Sequence, residues 1–332
     1  MIKKLYYSVS EGTSPYANQA LEEFLLNHVA GDECILYLWQ NRKTVVIGRN
    51  QNAWKECDCV RLESDGGFLA RRLSGGGAVF HDTGNLNFTF LAASENYDVT
   101  RQTEVILRAV RRFGIHAERT GRNDITVDGR KFSGNAYFHT DTASCHHGTL
   151  LLRSNKNEIE KYLTVSDEKL RSKSVDSVKS RITNLCEYAP AITVDSMRKK
   201  LVDAFSETYG LPVYLYPEKC VDSTAIAAYE KKFASWNWKY GRKILFTCES
   251  GRRFSWGEVQ IQLRIESGCI ADAVFWSDAL DTEFFVIAAQ AVKGCRFSPE
   301  DIAAALIGIP VESGSCREQE KKDISGLLEG MI

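Results

Sequence analysis

Residues 71–90, RRLSGGGAVFHDTGNLNFTF, hold the densest chemistry in this 332-residue chain. An Arg71-Arg72 pair, Leu73 and Ser74 precede a run of three glycines, Gly75, Gly76 and Gly77. Ala78, Val79 and Phe80 follow, and the pattern then becomes a strand, with Leu86, Phe88 and Phe90 alternating with Asn87 and Thr89. A glycine run costs backbone entropy. The usual reason to keep one is a ligand lying directly on bare main-chain N–H groups. Neighbouring arginines point to an anionic ligand, a phosphate above all. In extended backbone Arg71 and Arg72 face opposite ways, so one of them faces the ligand, and Arg72 is the candidate. The loop is not a P-loop, because it lacks Gly-Lys-Ser/Thr and leads into a strand rather than a helix. A flexible hairpin with solvated arginines is the plain alternative.

A second cluster is GRNDITVDGRKFSG, residues 121–134. Asp128-Gly129-Arg130 reads as a hairpin turn between strands at 125–127 and 131–133. Phe132 should enter the core, which sends Lys131 to the other face, where its amine can neutralise an incoming anion. An ordinary exposed hairpin lysine is the alternative. Asn123 and Asp124 are candidates for a ligand or a metal, with Mg²⁺ at Asp124, or for capping the turn. Ser133 and Gly134 resemble another close-approach site. The third cluster is HHGTLLL, residues 146–152, where His147 and Thr149 lead into an apolar strand. Its polar groups are expected at one end of the sheet. His81 and Asp82 make a similar edge after the glycine loop, and Asn85 is a further candidate. Cys145 beside His146 raises a nucleophile–base pair, although adjacent residues rarely face each other.

These residues need a scaffold, and the periodicity supplies one. Ser14 and Pro15 start a helix with Leu21, Phe24, Leu25 and His28 on one face. Strands are expected at 35–39, 44–48, 68–73 and 86–91. Thr100 is placed as the cap of a helix that buries Val105, Ile106, Ala109, Val110 and Phe113 and stops at Gly114. Leu150–Leu152 reads as a buried strand, and helices are expected near 157–163, 195–209 and 222–235. A second unit begins near 248–252, after SWNWKYG (235–241), with strands around Val259–Ile265 and 270–276 and helices near 282–293 and 299–307. Strands and helices do not alternate regularly, so the class is α+β: a mixed-sheet catalytic domain, 1–243, and a small ββαα C-terminal domain, 252–332. Gly241 and Gly251 mark the connector at 242–252 as a candidate hinge, with a rigid connector as the alternative.

Bulk composition narrows the function classes. Lys and Arg number 42 against 43 Asp and Glu, so no global field attracts nucleic acid or membrane. MIKKLYYSVS lacks the apolar run of a signal peptide, and no stretch approaches the roughly 18 apolar residues of a membrane helix. A cytoplasmic location is expected. The ten cysteines form no CxxC pair and read as reduced thiols. The six histidines include no HExxH.

In combination, the clusters closely resemble lipoate–protein ligases of the single-chain bacterial type. The stretches that carry the resemblance are NRKTVVIGRNQNAWKEC (41–57), RRLSGGGAVFHDTGN (71–85), GRNDITVDGRKFSGNAY (121–137), HHGTLLL (146–152), SVDSVKSRITNL (174–185), SWNWKYG (235–241) and RFSWGEVQI (253–261). They span most of the chain in the family's order. The resemblance implies the fold shared with biotin protein ligases and a reaction in two steps. Lipoate and ATP give lipoyl-adenylate and pyrophosphate, and the lipoyl group then passes to a lysine of an acceptor. The implied acceptors are lipoyl domains of 2-oxo acid dehydrogenase complexes and the glycine-cleavage carrier protein, and the enzyme is expected to be a monomer. By position, Arg72 and the Gly76–Phe80 stretch match ATP-binding residues, and Lys131 matches the lysine that contacts lipoate and adenylate. Leu73 and Cys145 depart from the family pattern, which has a smaller polar residue and an aromatic one there.

The chemistry fits these residues. A carboxylate attacks the α-phosphate of ATP, both partners are anionic, and Lys131 can offset the repulsion, with Mg²⁺ on the phosphates. Val46, Leu73 and Val79 are candidates for the apolar slot of the lipoyl tail, with His147 beside it. His81 and His147 are candidate bases for the second step, alongside water or the phosphate. Two other readings remain: an ATP-independent octanoyl or lipoyl transferase working through a cysteine thioester, and a non-catalytic binder of lipoyl domains.

Overall fold

A computed structural model describes residues 1–121, 123–164, 181–311 and 315–332. Arg122 and residues 174–180 of the SVDSVKSRITNL stretch lie outside the described residues. The chain forms two compact units. The first comprises Met1–Val46, Cys57–Arg71 and Val79–Ser235; the second comprises Ile47–Glu56, Arg72–Ala78 and Trp236–Ile332.

The first unit is built on strands β1 (Lys4–Val9), β2 (Glu33–Trp39), β3 (Thr44–Ile47), β4 (Phe68–Arg71), β5 (Val79–His81), β6 (Asn85–Ala93), β7 (Glu118–Thr120), β8 (Asp124–Val127), β9 (Arg130–His139), β10 (Ala143–Leu151) and β11 (Val213–Leu215). Eight of them form one mixed sheet in the order β11-β1-β2-β6-β10-β9-β8-β7, and β4-β3-β5 form a small second sheet. One face of the large sheet packs Leu36, Leu86, Phe88 and Phe90 against the helices Val99–Arg111 and Val194–Tyr209. The other face packs Ile35, Tyr37, Leu91 and Cys145 against the first helix, Pro15–His28. Alternation along each strand sorts side chains between these faces.

The first helix starts as expected, with the Ser14 hydroxyl accepting from Ala17 N–H and Pro15 in the first turn. Its buried face differs from the apolar reading. His28 is exposed, while Gln19 and Glu22 are buried. The helix Val99–Arg111 is capped by Asp98, whose carboxylate accepts from Arg101 N–H, not by Thr100. An aspartate directly before the first helical residue takes the cap position, and Thr100 already lies inside the helix.

The second unit carries β12 (Cys248–Arg253), β13 (Glu258–Glu266) and β14 (Cys269–Ser277) in one antiparallel sheet, with helices Phe284–Ala291, Pro299–Ile307 and Cys316–Glu329. It therefore has a strand and a helix beyond the ββαα expectation. Gly251 sits within β12, paired with Gln260, and not in a connector. Val259, Ile261, Leu263 and Phe275 form its core with Phe284 and Phe285. No helix among the described residues is long and apolar enough to cross a membrane.

Candidate active site

The hairpin holding Lys131 is set by its turn. Asp128 and Gly129 take φ of +50° and +71° between Val127 and Arg130, which pair directly. Two positive-φ residues in a two-residue loop match the right-handed twist of the strands. The pairing then slips: Thr126 opposes Lys131, but Ile125 opposes Ser133, so Phe132 is an extra residue, a β-bulge. Phe132 and Ser133 are both fully buried, Phe132 in the core that faces the two long helices. The bulge reverses the phase of alternation. Lys131 and Gly134, three apart, would otherwise lie on opposite faces. Here the Lys131 ammonium lies over Gly134, where a Cβ would meet Nζ at 2.9 Å and Cε at 3.0 Å.

Asp124, directly opposite Gly134, places its carboxylate 2.7 Å from Lys131 Nζ, with both side chains about one-third exposed. Gly134 N–H donates to Thr149 Oγ1 at 3.2 Å. The backbone of Lys131 is held from outside, since its carbonyl accepts from Thr183 N–H at 2.9 Å. Thr149 pairs with Asn87, and Asn87 with Trp39, so a polar row crosses five strands on the face of the first helix. Mg²⁺ is commonly held by one or two carboxylates together with phosphate oxygens. Asp124 offers one accessible carboxylate, so its donor chemistry fits such an ion.

Other members of these clusters make contacts within the fold. Asn123 donates from Nδ2 to Asn135 O at 2.7 Å and accepts from Asn135 N–H at 2.8 Å, which staples β8 to β9. Ser133 faces away from Lys131, on the side of Ile125. Asn85 is buried and donates to Asn87 Oδ1 at 2.9 Å. Val46 and Val79 are direct cross-strand partners, and Phe80 is buried against the Tyr162 ring.

The histidines separate by face. Residues 146–149 lie within β10, in the middle of the sheet, not at its end. His146 points into the core that holds Phe88 and Phe90, with Nε2 2.9 Å from Asn135 Oδ1 and Nδ1 3.1 Å from Gln102. Burial, and then the charges of His147 and Arg119, push its pKa down to about 3. It is neutral at physiological pH. Cys145 and His146 therefore cannot pair, since they face opposite ways. Cys145 shares its face with His147, whose Nδ1 lies 2.9 Å from Glu22 Oε1. The same oxygen accepts from Thr89 Oγ1 at 2.6 Å, and Thr89 accepts from Trp39 Nε1 at 3.1 Å. His81 is buried with Nδ1 3.2 Å from Asn41 Nδ2. Burial, followed by the Glu22 charge, raises the Cys145 thiol well above its ordinary pKa. A buried protonated thiol is a poor thioester nucleophile.

In the second unit, the glycine loop has a more specific logic than a bare cradle. A Cβ on Gly75 would meet the carbonyl oxygens of Ala279 and Leu280 at 2.3 and 2.5 Å. Gly76 takes φ of +88°, and its N–H donates to Ala279 O at 2.9 Å. A Cβ on Gly48 would meet Gly76 O at 2.2 Å. Backbone packs on backbone at these glycines, so the N–H of Gly76 is already used. Gly77 differs: apart from its chain neighbours, no atom of the described residues lies within 4 Å of its Cβ position. Arg72 is 8 % exposed, and its guanidinium donates to Ser74 Oγ at 3.0 Å, Gly75 O at 2.6 Å and Gly77 O at 2.9 Å. It fastens the loop in shape. Arg71 is also fully buried, so neither arginine is a solvated hairpin residue. Leu73 is half-buried and Ala78 closes the loop.

Sequence reasoning missed Glu22, Thr89 and Trp39. Their only signal was an acidic residue on the apolar side of a helix and two polar-edged residues inside apolar strands.

A mixed sheet with a lysine–carboxylate pair on a bulged hairpin, and a three-stranded C-terminal unit, define the class: an α+β domain with an appended small domain. Residues 14–206 match the lipoyl protein ligase A/B catalytic domain, and residues 244–328 match the bacterial lipoate protein ligase C-terminus. The chain belongs to the lipoyl protein ligase A/B family. It is 38 % identical over 309 residues to lipoate-protein ligase A of Psychrobacter cryohalolentis, covering 91 % of each chain. Among solved structures, P. falciparum LipL1 in complex with lipoate is 30 % identical with a TM-score of 0.85, covering 97 % of this chain and 99 % of that one. A bipartite lipoate protein ligase with its E2 lipoyl domain from Thermoplasma acidophilum is 28 % identical with a TM-score of 0.64, covering 75 % and 100 %. A lipoate-protein ligase A bound with ATP is 26 % identical with a TM-score of 0.62, covering 72 % and 98 %.

Proposed function

We propose that this family member is an ATP-dependent lipoate–protein ligase, with Lys131 as its charge-stabilising group. The observation that carries the reading is the Lys131 ammonium laid over the bare Cα of Gly134 and paired with Asp124, in a chain whose two segments match both ligase domains. In the first step a carboxylate oxygen of lipoate attacks the α-phosphorus of ATP, and pyrophosphate leaves with the electron pair of the broken P–O bond. Lys131 lowers the repulsion between the two anions and stabilises the charge that develops on the phosphoryl oxygens. Arg72, through the loop it fastens, and the Gly76–Phe80 stretch are assigned to the nucleotide, with Gly77 as the point of closest approach. Asp124 would hold Mg²⁺, which neutralises phosphate charge when bound. Val46 and Val79, with Leu73, are assigned to the lipoyl tail, beside His147 and Thr149. In this reading residues 1–243 catalyse and 252–332 are accessory.

In the second step the acceptor amine attacks the acyl carbonyl and AMP leaves. His146, buried and neutral, is not the base for that amine. The acceptors assigned are lipoyl domains of 2-oxo acid dehydrogenase complexes and the glycine-cleavage carrier protein. The relatives solved with lipoate, with ATP and with an E2 lipoyl domain support this reading. The test is incubation with ATP, Mg²⁺, lipoic acid and a purified lipoyl domain, read by intact mass. One lipoyl group should be added, and only with ATP. Transfer without ATP would favour the thioester transferase, and absence of both adenylate and pyrophosphate would favour a non-catalytic binder.

A further inference from the structure

We propose that Glu22, Cys145 and His147 form a binding site for a thiophilic divalent cation of the Zn²⁺ type. Each offers one ligand atom, these atoms lie within 4.8 Å of one another, and all three residues are buried. The three come from rigid elements. Cys145 and His147 are two apart on β10 and so share a face, while Glu22 descends from the first helix onto that face. Thiolate, imidazole and carboxylate are the donor set that Zn²⁺ prefers, and three protein ligands leave one position open. A carboxylate-orienting chain is already present, because Thr89 donates to Glu22 and Trp39 donates to Thr89. Such outer partners hold ligands in register. One turn before Glu22 on the same helix face, Gln19 is buried with neither amide atom bonded among the described residues. The remaining surroundings of Cys145 are largely apolar, with Phe24, Leu25, Ile35 and Leu91 in the same buried cluster.

Binding would exchange a proton for the cation. The Cys145 thiol releases its proton to solvent as the S–metal bond forms. The Nδ1–Glu22 hydrogen bond gives way to two metal bonds, one to the carboxylate and one to an imidazole nitrogen, with a ring proton kept on the nitrogen that does not bind. No redox change is involved. His147 is the member nearest the surface, with 9 % of its side chain exposed, and gives the cation its way in. The inference holds whether or not the ligase reading does, since it concerns metal binding alone.

The experiment titrates the full chain with Zn²⁺ alone, and separately with Co²⁺ alone to read the thiolate-to-cobalt absorption band. Wild type should bind one equivalent with that band. Cys145→Ser should abolish the band and weaken Zn²⁺ binding by at least about a hundredfold, and Thr89→Val should weaken it about tenfold. Glu22→Gln serves as a second ligand variant, with metal-free melting curves establishing that each variant folds. If Cys145→Ser does not fold, Glu22→Gln decides by the same hundredfold criterion. A band that survives in Cys145→Ser, a wild type without the band, or unchanged affinity in a folded Glu22→Gln would overturn the proposal.

Discussion

Gly134→Ala isolates positioning from folding. Gly134 lies in a strand with no positive φ to strain. The added methyl would meet Lys131 Nζ at 2.9 Å and Cε at 3.0 Å, and its next neighbour is Thr149 Oγ1 at 4.0 Å. Both close atoms belong to the far end of a flexible side chain, so the lysine gives way and the backbone does not. Relieving a contact from 2.9 Å to an ordinary separation moves the ammonium by about 1 Å. A shift of that size in a catalytic group costs up to about a hundredfold in rate. Stability should hardly change, because alanine recovers about 0.5–1 kcal/mol of the strand penalty of glycine. The assay is lipoate-dependent exchange of pyrophosphate into ATP, with urea melts in parallel. We expect a ten- to hundredfold loss of exchange with an unchanged melt. Exchange within about twofold of wild type would refute the claim that the bare Cα exists to seat the ammonium.

Two further predictions follow from the geometry. Arg72→Lys cannot reproduce the fork that reaches Ser74, Gly75 and Gly77; the KM for ATP should rise at least about tenfold with the KM for lipoate little changed, and equal effects on both would count against the assignment. His146, held near 3 when folded against about 6.5 when unfolded, takes up a proton only on unfolding. Its contribution to stability is therefore complete above about pH 6.5 and lost as pH falls toward 3, at about 1.4 kcal/mol per pH unit. Urea melts down to about pH 5, where carboxylates stay ionised, should show this slope in wild type and not in His146→Gln; a flat wild-type profile would contradict it.

Much of the scaffold was legible because its signals are local. Ser14-Pro15 opened a helix, Asp128-Gly129 closed a hairpin, and alternating apolar residues marked β6 and β13. Phe132 correctly assigned Lys131 to the opposite face. What stayed hidden depends on partners distant in sequence. The bulge at Phe132 leaves no local mark, so the place of Lys131 over Gly134 was not readable. Gly75 looked like a ligand cradle, but its neighbours are the carbonyls of Ala279 and Leu280, some 200 residues on. Nothing local marked Glu22, whose partner His147 lies 125 residues on, in β10. His146 and His147 are adjacent in sequence, yet alternation gives one to the core and the other to Glu22.

Lys131→Ala tests the central claim most directly, through lipoate-dependent pyrophosphate exchange. Removing a preorganised charge costs about 3–4 kcal/mol in the transition state, and here it also leaves Asp124 as an unpaired carboxylate facing anionic substrates. The account predicts a folded protein that has lost at least about a hundredfold of the exchange rate. A folded variant that exchanges within about fivefold of wild type would contradict it.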